Sequence, residues 1–366
     1  MIIESLIIAL MTVGILSLGC LWWRLRSCNQ SPLLIETFDG SNCPYHPSVL
    51  YFSESWNGYR YWMVETPFSP SSKPYRDRWE CPSIHVSQDG INWHSPFVNP
   101  IDDLSVAEVE NLDYFSDPHL VMKDGVLECW YRVTRRRSDV NFRSDVRLLR
   151  KTSFDGKTWS TREELVRFAE DSSPLGNMLV SPAVIYIDGY YHMWYVDSED
   201  HSGVPESRRI VHAFSSDGYE WESVEMCALQ GPEILPWHID VNRIDGIYWL
   251  VIYDFNTLTL WRSTEGKHFY YVKELLRPSA VPGSFYENGL YRSSLVAHNH
   301  GVRLYFSADD RKRTYIGLME GKTIDSLKVI SINGVNSTVF YSFWKFLSNK
   351  YTSCSFIIKK LFNYFV

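Results

Sequence analysis

The stretch Ser87-Gln-Asp-Gly-Ile-Asn-Trp93 returns as Ser153-Phe-Asp-Gly-Lys-Thr-Trp159 and Ser215-Ser-Asp-Gly-Tyr-Glu-Trp221, with a degenerate fourth copy, Ser263-Thr-Glu-Gly-Lys-His-Phe269. One small antiparallel sheet cannot bury its own face. A chain that repeats one hairpin at this spacing must therefore stack its sheets on each other, in an array or a closed ring. In each copy Asp-Gly is expected to supply the two positive-φ positions of a type I′ turn. The closing aromatic then opens the outgoing strand with a large packing surface.

Strand patterns between the copies divide the chain into five units. The first is His46–Phe52, Tyr59–Val64 and Cys81–Val86, the second Asp117–Met122, Leu127–Val133 and Asp145–Arg150, the third Ser181–Tyr186, Tyr190–Val196 and Ile210–Phe214. The fourth is His238–Val241, Ile247–Tyr253 and Leu258–Arg262, and the fifth is Arg292–Val296, Val302–Phe306 and Thr314–Leu318, where the hairpin formula decays to Met319-Glu-Gly-Lys. Starts at residues 46, 117, 181, 238 and 292 are 71, 64, 57 and 54 apart, room for four strands and their loops. The expected fold is all-β, a five-bladed β-propeller over residues 41–330.

The flanks read differently. Leu6 to Trp23 is 18 residues without a charge. As a helix it would span roughly 27 Å, close to a bilayer core, so residues 1–26 are expected to be a transmembrane anchor. A cleaved signal peptide is the alternative, but only Glu4 precedes the run and no basic residue does. Arg24 and Arg26 follow it, which places the propeller on the cytoplasmic side, beyond a linker at 27–40. Seven cysteines without a Cys-x-x-Cys pair fit reduced thiols. Residues 331–366 carry no acid and interleave aromatics with Lys345, Lys350, Lys359 and Lys360. This tail is either a membrane-surface segment or a helix packed on the propeller. A net charge of −7 gives no basic field for nucleic acid.

In a propeller the innermost strands converge on one channel mouth, which here gathers His46, Asp117, Ser181, His238 with Asp240, and Arg292. General acid/base work needs two groups with separated pKa values. The candidate acids are Asp117, Asp240 and Glu80, the last delivered if the excursion from Pro67 to Arg78 folds over the mouth. Candidate substrate ligands are His46, His119, Ser181, Trp237, His238, Tyr291 and Arg292. The histidines and Arg292 suit an anionic group, although each can equally hold a loop in place. His46, His119 and His238 lack the spacing that would support a zinc site, and no metal or other cofactor is expected. Trp56, Trp62, Tyr75 and Trp79 are weighed as sugar-stacking aromatics, with Trp62 expected in the core. The basic group Arg135-Arg-Arg137 with Arg143 is weighed as a lipid or polyphosphate contact against plain solvation.

The Xaa-Pro-Ser/Ala-Val strand openings and the Ser-x-Asp-Gly-x-x-Trp hairpins resemble the five-bladed propeller glycosidases of the arabinanase, fructosidase and mannoside phosphorylase superfamily. That resemblance implies acids opening the first three blades. Asp117-Pro118 matches the second, which tunes pKa and orients. Trp79-Glu-Cys-Pro82 is similar to the fructosidase acid motif, in a different blade. His46 before Pro47 and Ser181 before Pro182 stand where the other two acids belong, so an ordinary hydrolytic triad is absent. The expectation is a membrane-anchored propeller acting on a carbohydrate, anionic or lipid-linked, by hydrolysis, phosphorolysis or transfer. A glycan-binding module without catalysis and a scaffold in a membrane assembly remain the alternatives.

Overall fold

A computed structural model describes residues 30–68, 80–136, 144–167, 175, 178–198, 208–255 and 257–330. The compact unit is Pro32–Ile330, a five-bladed β-propeller. The expected anchor at 1–26, most of the expected linker, the tail at 331–366, Tyr75, Trp79, Arg137 and Arg143 lie outside the described residues. Among the described residues no helix is long and apolar enough to cross a membrane.

Blade one is β1 (Pro44–Trp56), β2 (Tyr59–Pro67) and β3 (Ser83–Ser87), and blade two is β4 (Tyr114–Lys123), β5 (Val126–Arg136), β6 (Ser144–Ser153) and β7 (Glu163–Arg167). Blade three is β8 (Leu179–Ile187), β9 (Tyr190–Ser198), β10 (Arg208–Ser215) and β11 (Glu222–Met226). Blade four is β13 (His238–Ile244), β14 (Ile247–Tyr253), β15 (Leu258–Ser263) and β16 (His268–Leu276), with β12 (Ala228–Gln230) parallel to β16 on its outer edge. Blade five is β17 (Gly289–His298), β18 (Gly301–Asp309), β19 (Thr314–Gly321) and β20 (Lys328–Val329). The inner strands β1, β4, β8, β13 and β17 neighbour one another in that order, and β17 returns to β1. Closure is reinforced where Leu33 N–H donates to Ile316 O of β19 at 2.9 Å.

The repeated hairpins differ from the sequence expectation. In Asp89-Gly90, Asp155-Gly156 and Asp217-Gly218 only the glycine has positive φ, so the turns are not type I′. The acid instead folds its own loop: Asp89 Oδ1 accepts from Ile91 N and Asn92 N at 2.8 Å, while Ser87 Oγ accepts from Gly90 N at 2.8 Å. Positive φ at both central positions occurs two hairpins earlier, between first and second strands, at Asn57-Gly58, Asp124-Gly125, Asp188-Gly189 and Asp245-Gly246.

What the repeated turns do is join blades. Gly156 of blade two sits on the Trp62 ring of blade one, Gly218 on Trp130 of blade two, and Gly266 on Trp194 of blade three. Trp194 Nε1 donates to Gly266 O at 2.8 Å, and at the closing seam Tyr305 of blade five donates to Gly90 O at 3.0 Å. Trp62, Trp130 and Trp194 are fully buried, so these rings form much of the packing between blades.

Candidate functional site

Inner strands of different blades cannot pair as one sheet, so their backbone N–H groups need other acceptors. Side chains of the neighbouring blade supply them. Ser48 Oγ accepts from Leu120 N at 3.0 Å, Asp117 Oδ2 from Ser181 N at 3.2 Å, and Ser181 Oγ from Ile239 N at 3.0 Å. Asp240 Oδ2 accepts from Leu295 N at 2.7 Å and Ser294 Oγ from Val49 N at 3.0 Å, which closes the circle. Ser181 and Asp240 thus have a structural task, and Asp240 lines the far cavity of about 210 Å³ with Ser48, His119, Asn242 and Ser294.

The opening of each of β1, β4, β8 and β17 is bulged, at Tyr45/Ser48, Ser116/His119, Val180/Ala183 and Leu290/Ser293. An extra residue in a bulge leaves the ladder, so a proline is tolerated there and the residue before it is re-aimed. His46, Asp117 and Ser181, each before proline, have φ of 50°, 53° and 54°, and Glu80 has 55°. Four non-glycine residues in the left-handed region at one place mark a strained, over-determined site.

Asp117 is its centre. It is fully buried; Oδ2 accepts from Arg132 Nε at 2.6 Å, and Oδ1 lies 3.4 Å from His238 Nδ1 and 3.8 Å from Arg292 Nη1. Burial opposes its charge, but Arg132, then His238 and Arg292, hold the carboxyl well below the usual range. Glu80 Oε2 lies 3.8 Å from His46 Nδ1, and His46 Nδ1 shares a 2.9 Å hydrogen bond with Thr66 Oγ1. Burial, then the Asp117 charge, pushes the Glu80 carboxyl well up. Burial lowers His46 to about 3 and His238 well below its ordinary value, so both imidazoles are neutral near pH 7. Glu80 Oε2, Asp117 Oδ1, His46 Nε2 and both nitrogens of His238 are buried without a hydrogen-bond partner. Buried polar atoms in that state belong where a ligand or water completes them.

The remaining candidates fall into place around this group. Tyr291 packs on His238 with ring centroids 3.9 Å apart, and its hydroxyl accepts from Trp237 Nε1 at 3.0 Å. Arg292 is wholly buried and donates to Pro182 O at 2.7 Å and to His119 Nδ1 at 3.3 Å. His119 is therefore a neutral ring held by a guanidinium, pushed down to about 3 by burial and Arg292. Arg292 and His119 build the channel wall beneath the mouth. Trp62 is fully buried in the core with Trp56 packed on it, and Arg135 lies 3.6 Å from Asp113 and 3.8 Å from Glu108. Arg132 was not singled out in the sequence. Its signal is a cation on an apolar strand, paired in register with Ser116 beside the Asp117 bulge.

No family model matches the chain. A curated N-acetyl-α-D-galactosamine deacetylase of Flavonifractor plautii, described for A-type blood, is 27% identical over 323 residues, which cover 72% of this chain and 40% of the relative. The chain thus spans about two fifths of that protein's length. Among solved structures, an N-acetylgalactosamine deacetylase from F. plautii in complex with blood group B trisaccharide superposes with TM-score 0.63 at 20% identity, over 80% of this chain and 95% of that one. A GH43 β-xylosidase/α-arabinofuranosidase from a compost microbial metagenome has TM-score 0.57 at 13% identity, over 83% and 98%. A GH43_1 enzyme from Xanthomonas citri complexed with xylotriose has TM-score 0.57 at 11% identity, over 85% and 98%. The resemblance to propeller glycosidases therefore holds for the fold.

Proposed function

We propose that the chain hydrolyses a glycan at the mouth built by His46, Glu80, Asp117 and His238, and that the bond broken is the N-acyl amide of an amino sugar. The observation that carries this is the unpartnered convergence of Asp117 Oδ1, His238 and Glu80 Oε2, where His46 and Ser181 replace two acids of the glycosidase triad. The deacetylase relative supports the choice of bond.

An amide needs a base to activate water and an acid for the leaving nitrogen. His238 is neutral and has the Asp117 carboxylate against Nδ1, so its Nε2 takes a proton from water as the oxygen adds to the acyl carbon. Glu80, kept protonated by burial, then gives its proton to the amine nitrogen as the C–N bond breaks, leaving a carboxylate and a free amino sugar. Asp117 is a poor base itself, because Arg132, His238 and Arg292 stabilise its charge. That weighs against glycosidic hydrolysis with Asp117 as base, and the position where the glycosidase resemblance would put that base holds His46.

Acetate release and sugar release, measured together on methyl glycosides of N-acetylgalactosamine and N-acetylglucosamine, decide between them. Acetate without sugar, lost by about 10²–10⁴-fold in Glu80→Gln and in His238→Gln, supports the proposal. Sugar release refutes it in favour of a glycosidase; tight binding with no bond broken leaves a binding module. As part of the same proposal, Leu6–Trp23 anchors the chain with the propeller in the cytoplasm, and protease protection of the propeller in sealed inside-out vesicles would contradict it.

A further inference from the structure

Arg208 opens β10 at the rim between blades three and four. Its neighbour Arg209 pairs with Asp197 at 3.1 Å. Among the described residues Arg208 makes no such pair: its guanidinium lies over two aromatic rings, 4.3 Å from the centroid of Trp237 and 4.9 Å from that of Phe255, and Nη1 is buried with no hydrogen-bond partner. Trp237 leads straight to the site, since its Nε1 bonds Tyr291, whose ring packs on His238. Two rings joined by one hydrogen bond thus lie between the guanidinium and His238.

The shelf beneath it is built at a conformational cost. Phe255 is 48% exposed and has φ of 72°, an outlier for a bulky residue. Leaving an aromatic in solvent and in the left-handed region is costly and persists where function requires it. Stacking leaves Nη1 buried beside the rings with a donor that an oxyanion seated on the shelf would satisfy.

Charge around the mouth leads to the same place. Arg132 is paired with Asp117, Arg292 faces Asp240 and Asp117, His46 and His238 are neutral near pH 7, and burial with the Asp117 charge pushes the Glu80 carboxyl well up. Among the described residues Arg208 is then a cation without an acidic partner at the rim, in a chain whose net charge is −7. We infer that the glycan which reaches the site carries an anionic oxygen group, a carboxylate or a sulfate ester, on the sugar next to the reacting one, and that Arg208 on the Trp237–Phe255 shelf receives it. This rests on the glycan reading given above and names the substrate class within it.

The test is isothermal titration of the full chain with three tetrasaccharides: unsulfated chondroitin, which alternates glucuronate with N-acetylgalactosamine, its carboxyl-reduced neutral form, and chondroitin 6-sulfate. A charge-assisted pair predicts about 10- to 100-fold tighter binding of one or both acidic sugars than of the neutral one. Which acidic sugar gains tells carboxylate from sulfate. In Arg208→Gln the acidic-to-neutral ratio falls toward one, and Arg208→Lys, a point charge without the fork, keeps part of it. Equal binding of all three by the wild type, or a ratio unchanged in Arg208→Gln, overturns the inference and leaves the glycan reading standing. If none of the three binds, the inference is overturned, and acetate release from the methyl glycosides still decides the glycan reading.

Discussion

Substituting Gly156 with alanine tests whether the repeated turn is a joint between blades. Gly156 has φ of 70°, so any Cβ there carries the left-handed penalty of about 1–2 kcal/mol. That Cβ would also overlap the six-membered ring of Trp62, which is fully buried and stacked on Phe97 at 5.5 Å. Trp62 cannot swing aside, and forced overpacking adds about 1–3 kcal/mol. Gly125 supplies the control in the same blade: φ is 84°, and nothing lies within 4 Å of its Cβ position. Gly125→Ala should therefore cost about 1–2 kcal/mol and Gly156→Ala about 2–5 kcal/mol. Urea titration followed by tryptophan fluorescence reads both differences, and since Trp62 is at the joint the emission of Gly156→Ala should also shift. Equal losses in the two variants would refute the joint and reduce Gly156 to an ordinary turn residue.

Three further outcomes follow from the buried charges. Asp117→Asn keeps an acceptor for Ser181 N but strands Arg132, and should lose about 3–5 kcal/mol in the same titration; Asp117→Asn combined with Arg132→Met should recover much of it. The folded pKa of Asp117 is depressed, so its stabilising contribution is complete above the unfolded value near about 3.9 and disappears as pH falls through the folded value. Acid unfolding of Asp117→Asn should be correspondingly less steep. Glu80 has the opposite sign: its folded pKa is raised, so the wild type loses stability as pH rises from about 4.3 through the folded value, and melting temperatures of Glu80→Gln should show a flatter profile over that range. Asp240, pushed up to about 6 by burial, gives the same direction in a narrower window that ends near 6, and Asp240→Asn should remove it while leaving acetate release intact.

The blade grammar was legible because β-structure writes its period locally. Alternating strands, Asp-Gly turns and the aromatic after each turn sit within a few residues of one another, and five such units can close only by stacking. What each turn does was not legible. Asp-Gly occurs in the first and the third hairpin of a blade, and only the serine two residues before the acid distinguishes the loops in which Asp folds its own backbone from the type I′ turns such as Asp124-Gly125. A side-chain hydroxyl that catches the glycine N–H replaces the second positive-φ residue, and a dipeptide rule cannot see it.

The mouth shows the same limit at longer range. Convergence of His46, Asp117, Ser181 and His238 follows from strand order alone, since the first residue of every inner strand must meet the others. Depth does not follow. His238 and Asp240 share a face of β13, yet two residues along a strand is roughly 6–7 Å, enough to carry Asp240 out of the reacting group and into the stitching between blades. Arg292 likewise reads as a free cation, but a bulge turns it inward, where Nη2 donates to the Pro182 carbonyl and Nε and Nη1 are buried and unpartnered, while Arg208, on the third strand of its blade, stacks at the rim. A cation is therefore available to substrate here according to which neighbouring blade it meets, and only the packed ring decides that. The stacked Trp237 then makes the difference testable: Trp237→Leu removes the shelf without touching the Asp117–Arg132 pair, so acidic-sugar affinity should fall while the steep acid unfolding set by Asp117 stays as in the wild type. Loss of both together would mean that the rim and the centre are one structural unit, and that Arg208 acts through packing alone.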